Sequence, residues 1–210
     1  MSNQQTQENL DTVIAELEKK CKELPDSLLA HHNLAMVYRK AGRQDDALRE
    51  LNTAIAIDPL APETHVNLGA LYFEMGDLDK ALAANQEAVR ILPESAQAHA
   101  NIGLIWQQQG EADKAIESYL ESTRHDPKLA TTWVNLTTAH IMAGNFDEAL
   151  AAAQKAVEID PDFSMAQNNL AVAFYYKEDY KAAQLHAEKA KTLGFPVDPR
   201  FLEAIRKGLN

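Results

Sequence analysis

Proline recurs in this chain at one fixed interval, and that interval constrains the fold more than any other feature. Five prolines lie 34 residues apart, at Pro25, Pro59, Pro93, Pro127 and Pro161. Glycines keep the same step, at Gly42, Gly76, Gly110 and Gly144. Further columns hold alanine (Ala47, Ala81, Ala115, Ala149 and Ala183) and a large aliphatic residue (Leu34, Leu68, Ile102, Leu136 and Leu170). Several coincident columns predict an array of repeated supersecondary units.

Each 34-residue unit is predicted to be a pair of helices. In the segment 63–75 the apolar residues Val66, Leu68, Leu71 and Tyr72 recur at helical spacing. Gly76 then permits a positive φ and Asp77 can cap the following helix. The second helix ends before Pro93, because proline disfavours helical geometry in the residue preceding it. Two such short helices cannot bury their apolar faces alone, so neighbouring units must stack.

The columns resemble the tetratricopeptide repeat, whose 34-residue pattern carries a Leu-Gly pair, an aromatic residue, two alanines and a proline. The Leu-Gly pair corresponds here to Leu34-Ala35, Leu68-Gly69, Ile102-Gly103, Leu136-Thr137 and Leu170-Ala171. The aromatic column is Tyr38, Tyr72, Trp106, His140 and Phe174. The pattern gives five full repeats, at 28–61, 62–95, 96–129, 130–163 and 164–197. In the last repeat Glu178 replaces the turn glycine, as terminal repeats are often atypical.

The resemblance implies an all-α fold, a single right-handed α-solenoid spanning residues 9–210. A narrow apolar stripe predicts an N-terminal capping helix at 9–24, which includes Cys21. At the other end, Asp198 and Pro199 predict the start of a C-terminal capping helix at 198–208. Residues 1–8 are predicted to be a disordered tail.

Composition and charge exclude several classes of function. Twenty Lys and Arg residues against 31 Asp and Glu give a net charge of -11, without the basic patch that nucleic-acid binding requires. An acidic chain likewise predicts no binding to anionic membranes, and no apolar run approaches the ~18 residues of a membrane span. The N-terminal residues have neither the basic nor the apolar region of a secretory signal. We therefore expect a cytoplasmic protein that binds neither nucleic acid nor membrane.

Catalysis and cofactors are not predicted. The chain carries no glycine-rich phosphate loop and no hydrolase motif, and a single cysteine cannot build a cysteine zinc site. His31, His65 and His99 lie 34 residues apart, in the column where the repeat family prefers Trp and where Trp133 stands in the fourth repeat. We interpret these imidazoles as fillers of the Trp position, and a metal-binding or pH-sensing role as the less favoured alternative. Cys21 is interpreted as a small buried apolar residue. The sequence thus predicts no enzyme, no cofactor and no metal.

One polar column points to a binding function. The residue before each Leu-Gly pair is asparagine in all five repeats, and this Asn column comprises Asn33, Asn67, Asn101, Asn135 and Asn169. Asparagine is a mediocre residue inside helices, so five such placements need a reason. The column resembles the asparagines in the repeat superhelix of O-linked N-acetylglucosamine transferase, which bond the backbone of an extended peptide. A carboxamide can match one peptide C=O and one N–H. The alternative is that asparagine is simply common at this position in the family and that each side chain bonds within its own repeat.

By register with the family, further residues are expected to line the same concave groove and to select side chains. The candidates are Arg39, Val66, Phe73, Leu104, Gln107, Ile141, Met142 and Tyr175. Some of them could instead pack against the next repeat. The sequence therefore predicts a non-catalytic adaptor or scaffold that binds a peptide segment of another protein in the groove. A self-assembling protein, in which one copy occupies the groove of the next, is the alternative.

Overall fold

The computed structural model describes residues 3–209, with side chains from residue 10 onward, and this part of the chain is entirely helical apart from turns. Its helices, in chain order, are α1 (Asn3–Glu23), α2 (Leu28–Lys40), α3 (Gln44–Ile57), α4 (Pro62–Glu74), α5 (Leu78–Ile91), α6 (Ala96–Gln108), α7 (Ala112–His125), α8 (Ala130–Ala143), α9 (Phe146–Ile159), α10 (Ser164–Tyr176), α11 (Tyr180–Thr192) and α12 (Pro199–Gly208). The fold is an all-α helical-repeat solenoid, as the sequence predicts. None of the described helices is both long and apolar enough to cross a membrane.

Internal contacts divide the chain into two compact units, Met1–Asn101 and Ile102–Asn210. In the first unit, α1 packs on α2, and the helix pairs α2–α3 and α4–α5 form the repeats. In the second, the pairs α8–α9 and α10–α11 pack together, α7 packs on α8, and α12 packs on α11. The continuity of one right-handed solenoid over 9–210 stays a prediction.

The helix ends follow from local sequence. Asp77 caps α5 by accepting a hydrogen bond from the Lys80 backbone N–H at 3.2 Å, as predicted. Asp198 similarly accepts from the Arg200 N–H at 2.8 Å, at the start of α12. Helix α1 begins at Asn3, so residues 3–8 are helical where the sequence predicts a disordered tail; residues 1 and 2 lie outside the described residues.

The turn inside each repeat needs one residue with a positive φ. Glycine supplies it in the first four repeats, for example Gly144 with φ 78°. In the fifth repeat Glu178 takes the same conformation with φ 60°. This left-handed geometry is unfavourable for a residue with a Cβ. The repeat geometry therefore persists where its preferred residue has been lost.

Each hairpin is also held by complementary sizes on its two helices. A Cβ added to Gly69 would lie 2.0 Å from the Asn85 Nδ2 atom, and one added to Gly103 would lie 2.5 Å from the Tyr119 Cε1 atom. Asn85 and Tyr119 occupy the same repeat column and are fully buried. Where the first helix carries a larger residue, such as Thr137, the second carries alanine at the corresponding position 153. The small residue of the Leu-Gly pair thus makes room for the large residue of the second helix.

Candidate peptide-binding surface

The Asn column lies on the first helix of each repeat, immediately before a buried Leu or Ile. Asn33 is exposed, whereas the other four asparagines are half-buried. Since the following residue points into the repeat core, each asparagine lies at the edge of the core-facing side of its own helix.

Two of these carboxamides reach back to the preceding repeat. Asn169 on α10 donates through Nδ2 to the Val134 carbonyl at 3.1 Å and to the Thr138 hydroxyl at 3.2 Å, both on α8. Asn67 on α4 donates through Nδ2 to the His32 Nε2 atom at 2.9 Å, on α2. Burial lowers the pKa of His32, so the neutral ring that this bond requires is favoured. These three bonds hold successive first helices together.

Asn101 is engaged through both ends of its carboxamide. Its Nδ2 donates to the Oδ1 atom of the buried Asn85 at 3.0 Å. Its Oδ1 accepts from the Gln97 Nε2 atom at 2.9 Å. Asn85 in turn donates to the Ala81 carbonyl at 2.8 Å. Asn101 is therefore part of an internal polar network.

Asn33 and Asn135 differ from the other three. Neither side chain makes a hydrogen bond to any residue in the described part of the chain. Asn135 is half-buried on α8, with Thr138 and Met142 three and seven residues further along the same helix face. The side chain of Met142 is 48% exposed. The structure thus leaves two carboxamides of the Asn column free to bind something else.

The other predicted groove residues differ in how far they are exposed and in whether they already have partners within the protein. Arg39 makes a two-pronged ion pair with Glu74, at 2.9 Å from Nε and 2.6 Å from a terminal nitrogen. The hydrogen bonds from Arg39 lower the pKa of the Glu74 carboxyl. The charge of Arg39 is therefore already neutralised by Glu74. Glu74 is not among the residues predicted from the sequence, where it is marked only as an acidic residue about one repeat after Arg39.

Several apolar candidates are shared between surface and core. Phe73 and Ile141 are half-buried. Leu104 packs against the cluster around Tyr119, whose hydroxyl donates to Gln107 Oε1 at 3.1 Å. Tyr175 makes edge-on contacts with Tyr176, Tyr180 and Phe201, whose ring centroids lie 5.5–5.8 Å away.

Val66 is a correction to the predicted groove. It is 9% exposed and packs with Ala88 and Ala98 in a small core cluster. Its position immediately before Asn67 turns its side chain toward the core of the repeat stack. Val66 therefore offers a ligand almost no surface.

A second column explains the repeated histidines. The side chains of His31, His65 and His99 bond through Nε2 to the carbonyl oxygen of the proline six residues earlier, at 3.0, 2.9 and 2.9 Å. Trp133 donates through Nε1 to the Pro127 carbonyl at 2.9 Å, and Gln167 donates through Nε2 to the Pro161 carbonyl at 2.7 Å. One structural bond, which ties each first helix to the loop before it, is thus made by three kinds of residue.

Two pockets lie at corresponding positions of the repeat, one in each of the two compact units. The N-terminal pocket has a volume of about 260 Å³ and is lined by Glu18, Cys21, Lys22, His31, Leu34, Tyr38 and Glu50. The C-terminal pocket has a volume of about 530 Å³ and is lined by Leu120, Trp133, Leu136, His140, Glu148, Ala151, Ala152, Gln154, Lys155 and Glu158. Five residues that line the N-terminal pocket each lie three repeats before a residue that lines the C-terminal pocket, so the two pockets share five positions of the repeat.

Comparison with known proteins identifies the repeat. Models described as TPR repeat and tetratricopeptide repeat match residues 35–76, 71–110 and 107–172. No curated protein sequence matches the chain.

Solved structures agree on the fold. The APC/C hetero-tetramer Cut9–Hcn1 is 16% identical with a TM-score of 0.81, over 97% of this chain and 40% of that one. The pilF protein of Pseudomonas aeruginosa is 18% identical with a TM-score of 0.78, over 87% of this chain and 84% of that one. YrrB, described as a TPR protein with an unusual peptide-binding site, is 19% identical with a TM-score of 0.69, over 90% of this chain and 97% of that one. This chain therefore spans 40% of the matched chain of the Cut9–Hcn1 structure but nearly all of YrrB. With repeat columns, helix pairs and family models in agreement, the chain belongs to the tetratricopeptide repeat family.

Proposed function

We propose that this protein is a non-catalytic interaction module that binds an extended peptide segment of a partner protein. The observation that carries the proposal is the pair of carboxamides, Asn33 and Asn135, that have no hydrogen-bond partner within the described chain. Membership of the tetratricopeptide family, whose domains generally serve as interaction modules, supports it. The peptide-binding site of the similar YrrB supports it as well.

The surface around Asn135 is the better of the two candidates. On this helix face, α8 presents a free carboxamide, a half-buried threonine and an exposed methionine within two helical turns. Asn169 holds α10 alongside through its bonds to Val134 and Thr138. Asn135 would pair with one peptide group of the ligand, and Met142 and Ile141 would contact its side chains. Around Asn33, the corresponding surface carries the mutually neutralised side chains of Arg39 and Glu74 in place of apolar residues, so a ligand there would meet a polar surface.

The test uses peptides selected by display on the wild-type protein. Asn135→Ala should weaken their binding by about five-fold, because one lost hydrogen bond is worth about 1 kcal/mol. Asn52→Ala is the matched control, since Asn52 is an exposed asparagine on the second helix α3. The helical CD spectrum and Tm of each variant report whether it is folded.

Equal affinity of the folded Asn135→Ala variant and the wild type for every selected peptide would contradict the proposal. Asn101→Ala is informative in another way, because it breaks an internal network and should lower the Tm more than the affinity. Self-assembly stays the alternative prediction. It requires concentration-dependent sedimentation that Asn135→Ala abolishes.

A further inference from the structure

Cys21, His31 and Glu50 converge from three different helices in the N-terminal pocket. The Sγ, imidazole nitrogen and carboxylate oxygen atoms that they offer all lie within 4.8 Å of one another. The His31 Nδ1 and Glu50 Oε2 atoms are 2.6 Å apart. Cys21 is 8% exposed and His31 9%, so both side chains are held away from bulk solvent. The Cys21 thiol has no hydrogen-bond partner in the described part of the chain.

His31 is oriented as a metal-binding histidine is. Its Nε2 is held by the Pro25 carbonyl at 3.0 Å, which fixes the ring and directs Nδ1 toward Cys21 and Glu50. A carbonyl accepting from one ring nitrogen while the other faces the metal is the usual arrangement around bound zinc. The same bond to a proline carbonyl is made in every repeat for structural reasons. In the first repeat this bond also orients the His31 ring for metal binding, so no additional residue is needed to hold it.

The cluster is not a by-product of the repeat. One repeat further on, the positions that correspond to Cys21, His31 and Glu50 hold Ile55, His65 and Ala84. Two repeats on they hold Val89, His99 and Ser118, three repeats on Thr123, Trp133 and Ala152, and four repeats on Val157, Gln167 and His186. Only the histidine recurs at its own position. The thiol and the carboxylate therefore occur together only in this first set of positions, although the repeat architecture does not need either of them.

We propose that Cys21, His31 and Glu50 bind one Zn²⁺ ion, with water at the fourth position. A thiolate, an imidazole and a carboxylate together suit Zn²⁺ better than Ca²⁺ or Mg²⁺, which prefer oxygen ligands alone. Bonds of about 2.0–2.3 Å in a tetrahedral site place ligand atoms about 3.2–3.7 Å apart. The present cluster reaches that geometry when the Glu50 carboxylate rotates away from His31 Nδ1. The cavity of about 260 Å³ has room for the ion and its water.

The charges of the pocket are compatible with this ion. The negative charges of the Cys21 thiolate and the Glu50 carboxylate together neutralise Zn²⁺. Two protons are released to solvent when the ion binds, one from the Cys21 thiol and one from the hydrogen bond between His31 and Glu50. Glu18 lines the same pocket and accepts a hydrogen bond from the Tyr38 hydroxyl at 2.6 Å, which holds a further negative charge nearby. Lys22 also lines the pocket but is exposed. The bound ion would connect α1 to α2 and α3 and so fix the N-terminal capping helix. The sequence analysis predicts no metal, and this proposal departs from it.

The experiment titrates the full-length, tag-free protein, previously stripped with a chelator, with Zn²⁺ alone. The expected result is one ion bound per chain. His31→Gln should weaken binding by about 100-fold or more, because loss of even a supporting residue typically costs 10–100-fold. Cys21→Ser and Glu50→Gln should each weaken it similarly. Co²⁺ in place of Zn²⁺ should give a thiolate-to-cobalt absorption band that Cys21→Ser lacks.

The chain itself offers the matched control. Gln167 makes the proline carbonyl bond in the fifth repeat, so His31→Gln keeps the structural bond while removing the imidazole. His65→Gln makes the same replacement one repeat away and should leave zinc affinity unchanged. Wild-type affinity in the folded His31→Gln variant would overturn the proposal. So would a cobalt complex of the wild type that lacks the thiolate band.

Discussion

The N-terminal and C-terminal pockets are built on the same positions of the repeat and differ in residue at four of the five positions that they share. Glu18, His31 and Glu50 of the first correspond to Leu120, Trp133 and Ala152 of the second. In the polar set, His31 and Glu50 are joined by a 2.6 Å hydrogen bond, and Glu18 accepts one from the Tyr38 hydroxyl. The apolar set leaves a cavity about twice as large. The geometry of the repeat and the chemistry of its pocket are therefore specified by different residues.

What the two pockets share is the layer beneath them. Leu34 and Leu136 line the corresponding pockets and are 2% and 1% exposed, respectively. Each stands in the aliphatic column that the 34-residue period carries through every repeat. The scaffold is therefore the constant part of the comparison, and the pocket-lining columns are the variable part.

The largest expected effects test that shared layer. Leu34→Ala and Leu136→Ala should each lower the free energy of unfolding by about 3 kcal/mol, as removal of a fully buried leucine side chain does. Urea denaturation, followed by circular dichroism, measures both. If the losses in the free energy of unfolding differ by more than about 2 kcal/mol between the two variants, the residues that line a pocket influence the stability of the buried leucine. That result would contradict the view that the scaffold is constant between the two pockets.

The next effect concerns the polar set alone. Glu50→Ala, measured with a chelator present, should cost about 2 kcal/mol, because the buried His31 loses a hydrogen-bonded carboxylate. Adding His31→Trp to that variant installs the residue pair found at Trp133 and Ala152. This second change should restore about half of the loss, since indole can donate to the Pro25 carbonyl and needs no second partner. A double variant less stable than the single one would contradict the equivalence of the pockets.

The scaffold could be predicted from the sequence because it repeats. Coincident columns averaged over five units mark the helices, their turns and their buried positions, and even Glu178 keeps the left-handed turn of its column. The Asn column could be located for the same reason. Its internal bonds could not be, because they depend on which neighbour lies within reach: Asn169 bonds a main-chain carbonyl, whereas Asn101 bonds the buried Asn85.

The Cys21–His31–Glu50 cluster had no sequence signal. Its members lie 10 and 19 residues apart on three helices, and no spacing rule for metal ligands covers such a set. Only His31 belongs to a repeated column, and that column has a structural explanation. Residues that do not recur at the repeat interval are not detected by periodicity. These same residues make one repeat chemically different from the next.

The smallest effect is a pH dependence that should distinguish the C-terminal pocket. His140 is buried where the N-terminal pocket has Tyr38, and its Nδ1 has no hydrogen-bond partner in the described chain. Burial lowers the pKa of His140, and the nearby Glu148 only partly opposes the shift. The unfolded chain therefore binds a proton more readily than the folded one, so stability is lost as pH falls from about 6.5 toward the lower folded-state pKa.

His140→Phe, which places the aromatic residue of position 174 in this pocket, should remove that part of the pH dependence. The informative quantity is the wild-type minus variant free energy of unfolding between pH 7.5 and 5, because His32 and His186, whose pKa values burial also lowers, contribute equally to both proteins. The difference should become more negative on acidification, as the wild type alone must bury an imidazole that would otherwise be charged. A difference that does not change with pH would mean that water reaches the His140 ring and that burial does not lower its pKa.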